Sequence, residues 1–162
     1  MSEVQKILKY RGYNLIHNDK YMLFNNDSGS KIIVFICQEN LNIQLLKLYL
    51  KILNEIKYNH CIIIYSQKIT PSSNKILDTI KNIYEIELFT EDEMSIDFTK
   101  YKYYYPHIKV SEEEKKELIR KYGIRLPIIL HKDIIIRYFN YKKGDVIKII
   151  RDNNYVTYEI VK

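Results

Sequence analysis

Two unbroken apolar runs, one within Lys31 to Cys37 and one from Cys61 to Tyr65, bracket an amphipathic stretch and limit what this chain can fold into. The second run, Cys-Ile-Ile-Ile-Tyr, has no polar face to offer water, so it predicts a strand buried on both sides. Between the runs, Leu45, Leu46, Tyr49, Ile52, Leu53 and Ile56 fall on one stripe, which predicts a helix over 41–57. A third strand is expected at Tyr84 to Phe89, after a helix that Thr70 caps and Pro71 opens at its first position, running to about Asn82. Ahead of the first run, residues 2–10 predict a short helix with a Ser2 cap, Val4, Ile7 and Leu8 on one face, and a stop at Gly12. Lys20 to Phe24 reads as a strand joined to Lys31 to Cys37 by the turn-rich Asn25-Asn26-Asp27-Ser28-Gly29-Ser30, a hairpin. Residues 1–89 therefore predict a small α/β domain built on strand, helix, strand, helix, strand.

Residues 90–110 begin acidic, become Tyr-rich and end the extended segment at Pro106; they are expected to connect two domains. The second domain, 111–162, starts with a helix that Ser111 caps, Glu114 completing a capping box, and that stops at Gly123. Strands follow at Pro127 to Leu130, Asp145 to Arg151 and Tyr155 to Val161, the last two joined through Asp152-Asn153-Asn154. This half predicts a compact α+β unit.

At 162 residues, 46% of them hydrophobic and 28% charged, the chain has the composition of a folded protein and not of a disordered one. Its N-terminus has no long apolar region, and no run approaches the roughly 20 apolar residues that span a bilayer, so an intracellular soluble protein with no membrane partner is expected. Cys37 and Cys61 both lie in apolar runs and predict buried reduced thiols. The wealth of Ile, Asn, Lys and Tyr suggests an AT-rich coding sequence, as in a large DNA virus or a protist. Net charge is +6; a split before Phe89 leaves 11 Lys/Arg against 8 Asp/Glu on one side and 15 against 12 on the other. So even a spread reads as solvated surface and not as a dedicated phosphate track.

Catalytic chemistry finds little support. His17, His107 and His131 stand alone, and His60 and Cys61, adjacent on a strand, point to opposite faces; neither a metal nor any other cofactor is expected. Glu55-Ile56-Lys57 has the Glu-x-Lys spacing of a metal-dependent nuclease, but it falls on the predicted helix, where the two side chains cannot share one metal. There is no phosphate loop and no nucleophile elbow. Tyr101, Tyr103, Tyr104 and Tyr105, interleaved with Lys100 and Lys102, could stack on bases; the expectation is that they pack a junction between domains and a protein partner.

The tail from Leu126 to Lys162 sets a Leu-Pro entry, an Asp-led turn ending in Arg137-Tyr138-Phe139, a Lys142-Lys143-Gly144-Asp145 turn and two closing strands in unbroken order. This order resembles the C-terminal domain of the small subunit shared by eukaryotic nuclear RNA polymerases I, II and III, a domain that archaeal RNA polymerase also carries. Arg11-Gly12-Tyr13, Ile69-Thr70-Pro71-Ser72-Ser73 and Pro106-His107 match further elements of that family in the same order. Ile134 stands where the family has Pro after the Asp, Asn140 where it has Gly after Tyr-Phe, and the N-terminal domain is shorter. The resemblance implies a non-catalytic subunit with an α/β N-terminal jaw-like domain and a small α+β C-terminal assembly domain. The assembly domain docks on the largest polymerase subunit, and the jaw lies near downstream duplex DNA, held weakly and only in the assembled complex. It places Arg137, Tyr138, Lys143, Gly144, Lys148 and Arg151 on the assembly face or its framework, and Thr70, Pro71 and Ser72 on the jaw nearest DNA; a basic jaw would hold phosphates there, so Lys68 and Lys75 are expected to be DNA-proximal as well. Localisation follows the polymerase: the nucleus for a cellular protein, the virion or a cytoplasmic factory for a viral one. The alternative is a freestanding duplex-DNA-binding module and, behind it, a metal-dependent nuclease.

Overall fold

The computed structural model describes residues 2–123 and 125–162, and the chain divides into two units, one ending at Ile96 and one beginning at Asp97. The first opens with α1 (Glu3–Tyr10), where Ser2 Oγ accepts from the Gln5 N–H and the Gln5 side chain accepts from the Ser2 N–H, a complete capping box. Val4, Ile7 and Leu8 are its buried face. Gly12, at φ +80°, takes the left-handed turn that a side chain resists and sends the chain straight into β1 (Tyr13–Asn18). Then follow β2 (Met22–Asn26), β3 (Lys31–Cys37), α2 (Ile43–Ile56), β4 (His60–Tyr65), α3 (Pro71–Ile80), β5 (Glu85–Thr90) and the single-turn α4 (Glu91–Ser95). The sheet order is β1-β2-β3-β4-β5, with β1, β2 and β3 antiparallel in sequence and β3, β4 and β5 parallel.

The apolar runs take the middle of this sheet because only there are both faces covered. One face sets Ile33, Phe35, Cys37, Cys61 and Ile63 against Leu46, Tyr49 and Leu53 of α2, with the Phe35 and Tyr49 rings stacked at 4.2 Å. The other carries Phe24, Ile32, Val34, Ile62 and Phe89, all buried. Each such Leu, Ile or Phe contributes roughly 1.5–3 kcal/mol over leaving it in water. Cys37 and Cys61 are buried free thiols, and burial pushes Cys61 up to about 12.

At the start of α3, Thr70 Oγ1 accepts from the Ser73 N–H at 3.3 Å and Pro71 occupies the first helical position. Thr70→Ala is expected to cost about 1 kcal/mol and Thr70→Ser almost nothing, measured by urea unfolding. A loss confined to DNA contact, with stability unchanged, would contradict this capping role.

The second unit comprises β6 (His107–Lys109), α5 (Glu112–Tyr122), β7 (Ile128–Ile129), α6 (Ile134–Tyr138), β8 (Val146–Ile150) and β9 (Val156–Val161). Its sheet order is β6-β8-β9-β7; β7 runs parallel to β9 and the other pairs are antiparallel. Ile147, Ile149 and Val161 on one face pack with Ile136 of α6, while Val146 on the other packs with Val110, just before α5, and with Leu118 of α5.

Several expectations need correction. Tyr13 to Asn18, where no element was expected, is a full edge strand paired to β2. The strand expected at Lys20 to Phe24 begins at Met22, because Asp19 to Tyr21 make the turn of that hairpin. The segment 90–110 contributes α4 to the first unit and β6 to the second. Ser111 Oγ accepts from the Glu114 N–H at 3.1 Å, but the Glu114 carboxylate accepts from the Tyr158 hydroxyl at 3.4 Å instead of reaching back to the cap. No helix among the described residues is long and apolar enough to cross a membrane.

Candidate partner-binding surface

The turn between α6 and β8 is built to hold a cation outward. Asp133 caps α6, its carboxylate accepting from the Ile135 N–H at 2.9 Å. Tyr138, at 1% exposure, is set edge-on to Phe98 (ring centroids 5.7 Å apart) and to Phe139 (5.1 Å). Asn140 then takes φ +56°, a left-handed position that Asn tolerates and Gly fills freely, so the Gly-to-Asn departure keeps the turn. Asp145 clamps the Lys-Lys-Gly turn: one carboxylate oxygen accepts from the Lys142 N–H and the other pairs with the Lys109 ammonium, both at 2.8 Å. Gly144, at φ +89°, donates its N–H to the Val161 carbonyl at 2.8 Å, and Val161 donates back to the Asp145 carbonyl at 2.9 Å. With its neighbours tied to β6 and β9, Lys143 stands exposed at the tip.

Lys143, Lys142 and Arg137 lie near enough to His131 for their charges to act on it. Burial first, and then these three cations, hold the His131 imidazole below its usual pKa. The expected partner-binding residues thus separate into groups. Arg137 and Lys143 share this cluster, Tyr138 and Gly144 form its framework, and Lys148 and Arg151 lie further along β8 and past its end. Arg151 is bound within the fold, donating to Thr157 Oγ1 at 3.2 Å and to Glu159 at 3.3 Å with its guanidinium 5.6 Å from the Tyr105 ring centre. Lys142 and His131 belong with the cluster and were not singled out from sequence; the signal was the Lys-Lys pair, which only the return of the chain through β7 and α6 brings near His131.

In the first unit, Thr70, Pro71 and Ser72 lie at the head of α3, with Lys68 just before and Lys75 one turn on. Pro71, Ser72 and both lysines are exposed, and the Lys68 backbone is fixed to the loop after β3 through Asn40 and Leu41. Of the tyrosines, Tyr101 and Tyr103 are exposed, edge-on to each other at 5.9 Å, with Lys102 over the Tyr103 ring.

A buried ionic group escaped the sequence reading. Arg11 makes two 2.8 Å contacts to the two oxygens of Glu87, and His60 Nε2 donates to the same carboxylate at 2.7 Å. Burial alone would raise Glu87, but the His60 hydrogen bond and the Arg11 charge outweigh it and bring the carboxyl down to about 2. His60, Glu85 and Glu87 have ligand atoms within 4.8 Å of one another, as a metal site requires. The guanidinium already satisfies both Glu87 oxygens, so the group is an electrostatic lock between α1 and β5. Glu55, exposed near the end of α2, pairs with Lys51, and Lys57 is the left-handed cap of that helix; they form no nuclease centre.

Comparison with known proteins finds a likeness centred on the second unit. Residues 96–161 match the model described as RNA polymerase Rpb5, C-terminal domain. The DNA-directed RNA polymerases I, II, and III subunit RPABC1 of Caenorhabditis elegans and that of Caenorhabditis briggsae are each 29% identical over 145 residues, covering 85% of this chain and 69% of theirs. Residues 96–161 are thus similar to the Rpb5 C-terminal domain. Those relatives are named as polymerase subunits. A crystal structure of a protein of unknown function aligns over 73% of the chain and 74% of its own at 13% identity, with a TM-score of 0.43, too low to carry an argument.

The Rpb5 match begins where the second unit begins, and that boundary overturns the even charge split drawn before Phe89. Residues 97–162 hold 15 Lys/Arg against 9 Asp/Glu, whereas residues 1–96 hold 11 of each. The whole net charge of +6 resides in the Rpb5-type unit, because Glu91, Asp92 and Glu93 belong to α4 of the first unit and not to the second.

Proposed function

We propose that this chain serves as the shared subunit of a multisubunit DNA-directed RNA polymerase. Residues 97–162 dock on the largest subunit, and residues 1–96 form part of the lower jaw beside downstream duplex. The observation that carries this reading is the coincidence of the Rpb5-type unit with the chain's entire net positive charge. A basic module steers onto an acidic protein surface and fixes register there. Within it, Arg137 and Lys143 would meet the partner, Tyr138 and Gly144 would hold them in place, and Lys148 and Arg151 would flank the contact. The jaw unit, with no net charge, has little long-range pull on duplex by itself, which fits a subunit that touches DNA only within the assembled enzyme. By the same reading the protein works in the nucleus of a cell, where such a polymerase transcribes.

Affinity purification of the tagged chain from its native cell at moderate salt tests this. Recovery of the two large polymerase subunits in near-equal amount supports it. Recovery of the chain alone, or with nucleic acid only, favours a freestanding binding module. For the jaw, replacing Lys68 and Lys75 by Gln should weaken duplex binding by the assembled polymerase equally across sequences. It should also reduce the dependence of affinity on salt by about one power of the salt concentration for each phosphate no longer held. Unchanged salt dependence would remove both residues from the DNA path.

A further inference from the structure

β7 ends the second unit's sheet and is paired on one side only. Pro127 and Ile129 accept from Ile160 and Lys162 of the β9 side at 2.8 and 3.0 Å, and His131 donates to the Lys162 carbonyl at 2.7 Å. The backbone N–H and carbonyl of Ile128 therefore point away from β9, and among the described residues no strand pairs there; the next outward carbonyl, that of Leu130, accepts from the Asp133 N–H at 2.9 Å, so the open edge is centred on Ile128. Ile128 is in register with Ile160, so its side chain continues the face that α5 covers. It lies beyond that cover, 53% exposed, with Leu130 at 52%.

Open edges are blunted by short strands, by prolines and by charges; β7 is short, but Pro127 faces β9 through its carbonyl and so leaves the outward side unblocked. Leu126 to Leu130 carries no charge, and the cations Arg137, Lys142 and Lys143 gather instead at its His131 end. A free backbone edge gives an extended chain its affinity, and the side chains around it select which chain. Two half-exposed apolar residues followed by a cation cluster select an extended segment with apolar side chains in alternation and carboxylates at one end. A phosphate backbone would use the cations and leave Ile128 and Leu130 without partners.

We infer that the β7 edge accepts a strand from the largest polymerase subunit, its apolar side chains against Ile128 and Leu130 and its carboxylates against Arg137, Lys142 and Lys143. This rests on the docking role proposed above and names the place and chemistry of the contact.

The test uses the full chain co-expressed with the largest subunit. Ile128→Pro removes the outward N–H and exchanges the isoleucine side chain for a proline ring, the two features the inference assigns to this residue, while it leaves the bonds to β9 intact and suits an edge position. It should lower retention of the largest subunit by about tenfold or more, the scale of one missing hydrogen bond in a packed interface, with the circular dichroism spectrum and melting temperature unchanged. Ile128→Val, which keeps the N–H, should bind as wild type, and Lys143→Glu should weaken binding most at low salt. In the wild-type complex, hydrogen exchange at the Ile128 amide should slow. Should Ile128→Pro unfold the unit, that exchange measurement decides alone, and unaltered exchange overturns the inference. Equal retention of wild type and Ile128→Pro overturns the β7 edge but leaves docking intact; failure of the wild type to retain the largest subunit overturns both. Protection of Ile128 by a short DNA duplex alone overturns the protein partner.

Discussion

Arg11→Met is expected to destabilise the first unit by about 3–5 kcal/mol, the usual cost of leaving one partner of a buried ion pair behind. Arg11 and Glu87 side chains are only 5% and 11% exposed, so water cannot take over the interaction. Glu87 would keep His60 but lose the stronger half of its support. Hydrogen exchange at amides of β4 and β5 reads the loss unit by unit; exchange unchanged from wild type would refute it. The same lock sets an acid limit. Glu87 titrates near 2 in the folded chain against an ordinary value of 4.5, so its contribution is complete above about pH 4.5 and is lost as pH falls through 2. The amount is about 3 kcal/mol. In Arg11→Met the burial of Glu87 would be opposed by His60 alone, so the acid limb of stability should move to higher pH, and an unmoved limb would mean that Arg11 is not the stabilising partner.

Tyr138→Ala should cost the second unit about 3–5 kcal/mol, as deletion of a buried aromatic ring does. Its ring contacts with Phe98 and Phe139 vanish, and with them the platform beneath Asn140 and the Lys142 turn. Tyr138→Phe retains those ring contacts and most of the stability. Lys143→Ala, exposed at the turn tip, should leave the melting temperature within about a degree or two, since exposed surface changes fall within about ±0.5 kcal/mol. If both Tyr138→Ala and Lys143→Ala weaken polymerase binding, only the first should do so with a lower melting temperature. A stable Tyr138→Ala that fails to bind would make Tyr138 a contact residue and not framework.

Much of the fold could be read because its signals are local. Ser2, Thr70 and Ser111 each cap the helix beginning at the next residue, and the apolar runs of β3 and β4 lie in the middle of the sheet as their lack of a polar face demands. β1 could not be read the same way. Its sequence, Tyr-Asn-Leu-Ile-His-Asn, covers no core and so shows no period of two; pairing with β2, and not burial, makes it a strand. The Arg11, His60 and Glu87 lock was hidden for a different reason. Its members come from the end of α1, from β4 and from β5, and only the parallel register that sets His60 beside Glu85 and Ile62 beside Glu87 unites them. The one trace in sequence was Glu85 and Glu87 alternating with Ile86 and Leu88 on a predicted strand, two carboxylates on a single face that needed a cation to be buried there. The family tail was legible as an order of turns, yet its partition into contact and framework was not, because Tyr138 and Arg137 are neighbours in sequence and differ only in which way the short α6 turns them.

The strand order of the second unit also fixes when it can become whole. β9 lies between β8 and β7, although it is made after both. At roughly 5–20 residues per second on the ribosome, β7 emerges about one to five seconds before the strand it needs, while the first unit has long had all of its own. A nascent chain stopped before Val156 would carry a finished first unit joined to a sheet in two pieces, with the apolar edges of β7 and β8 both uncovered. Quality control of this subunit should therefore act on the second unit, and interrupted translation should yield fragments that chaperones bind through it.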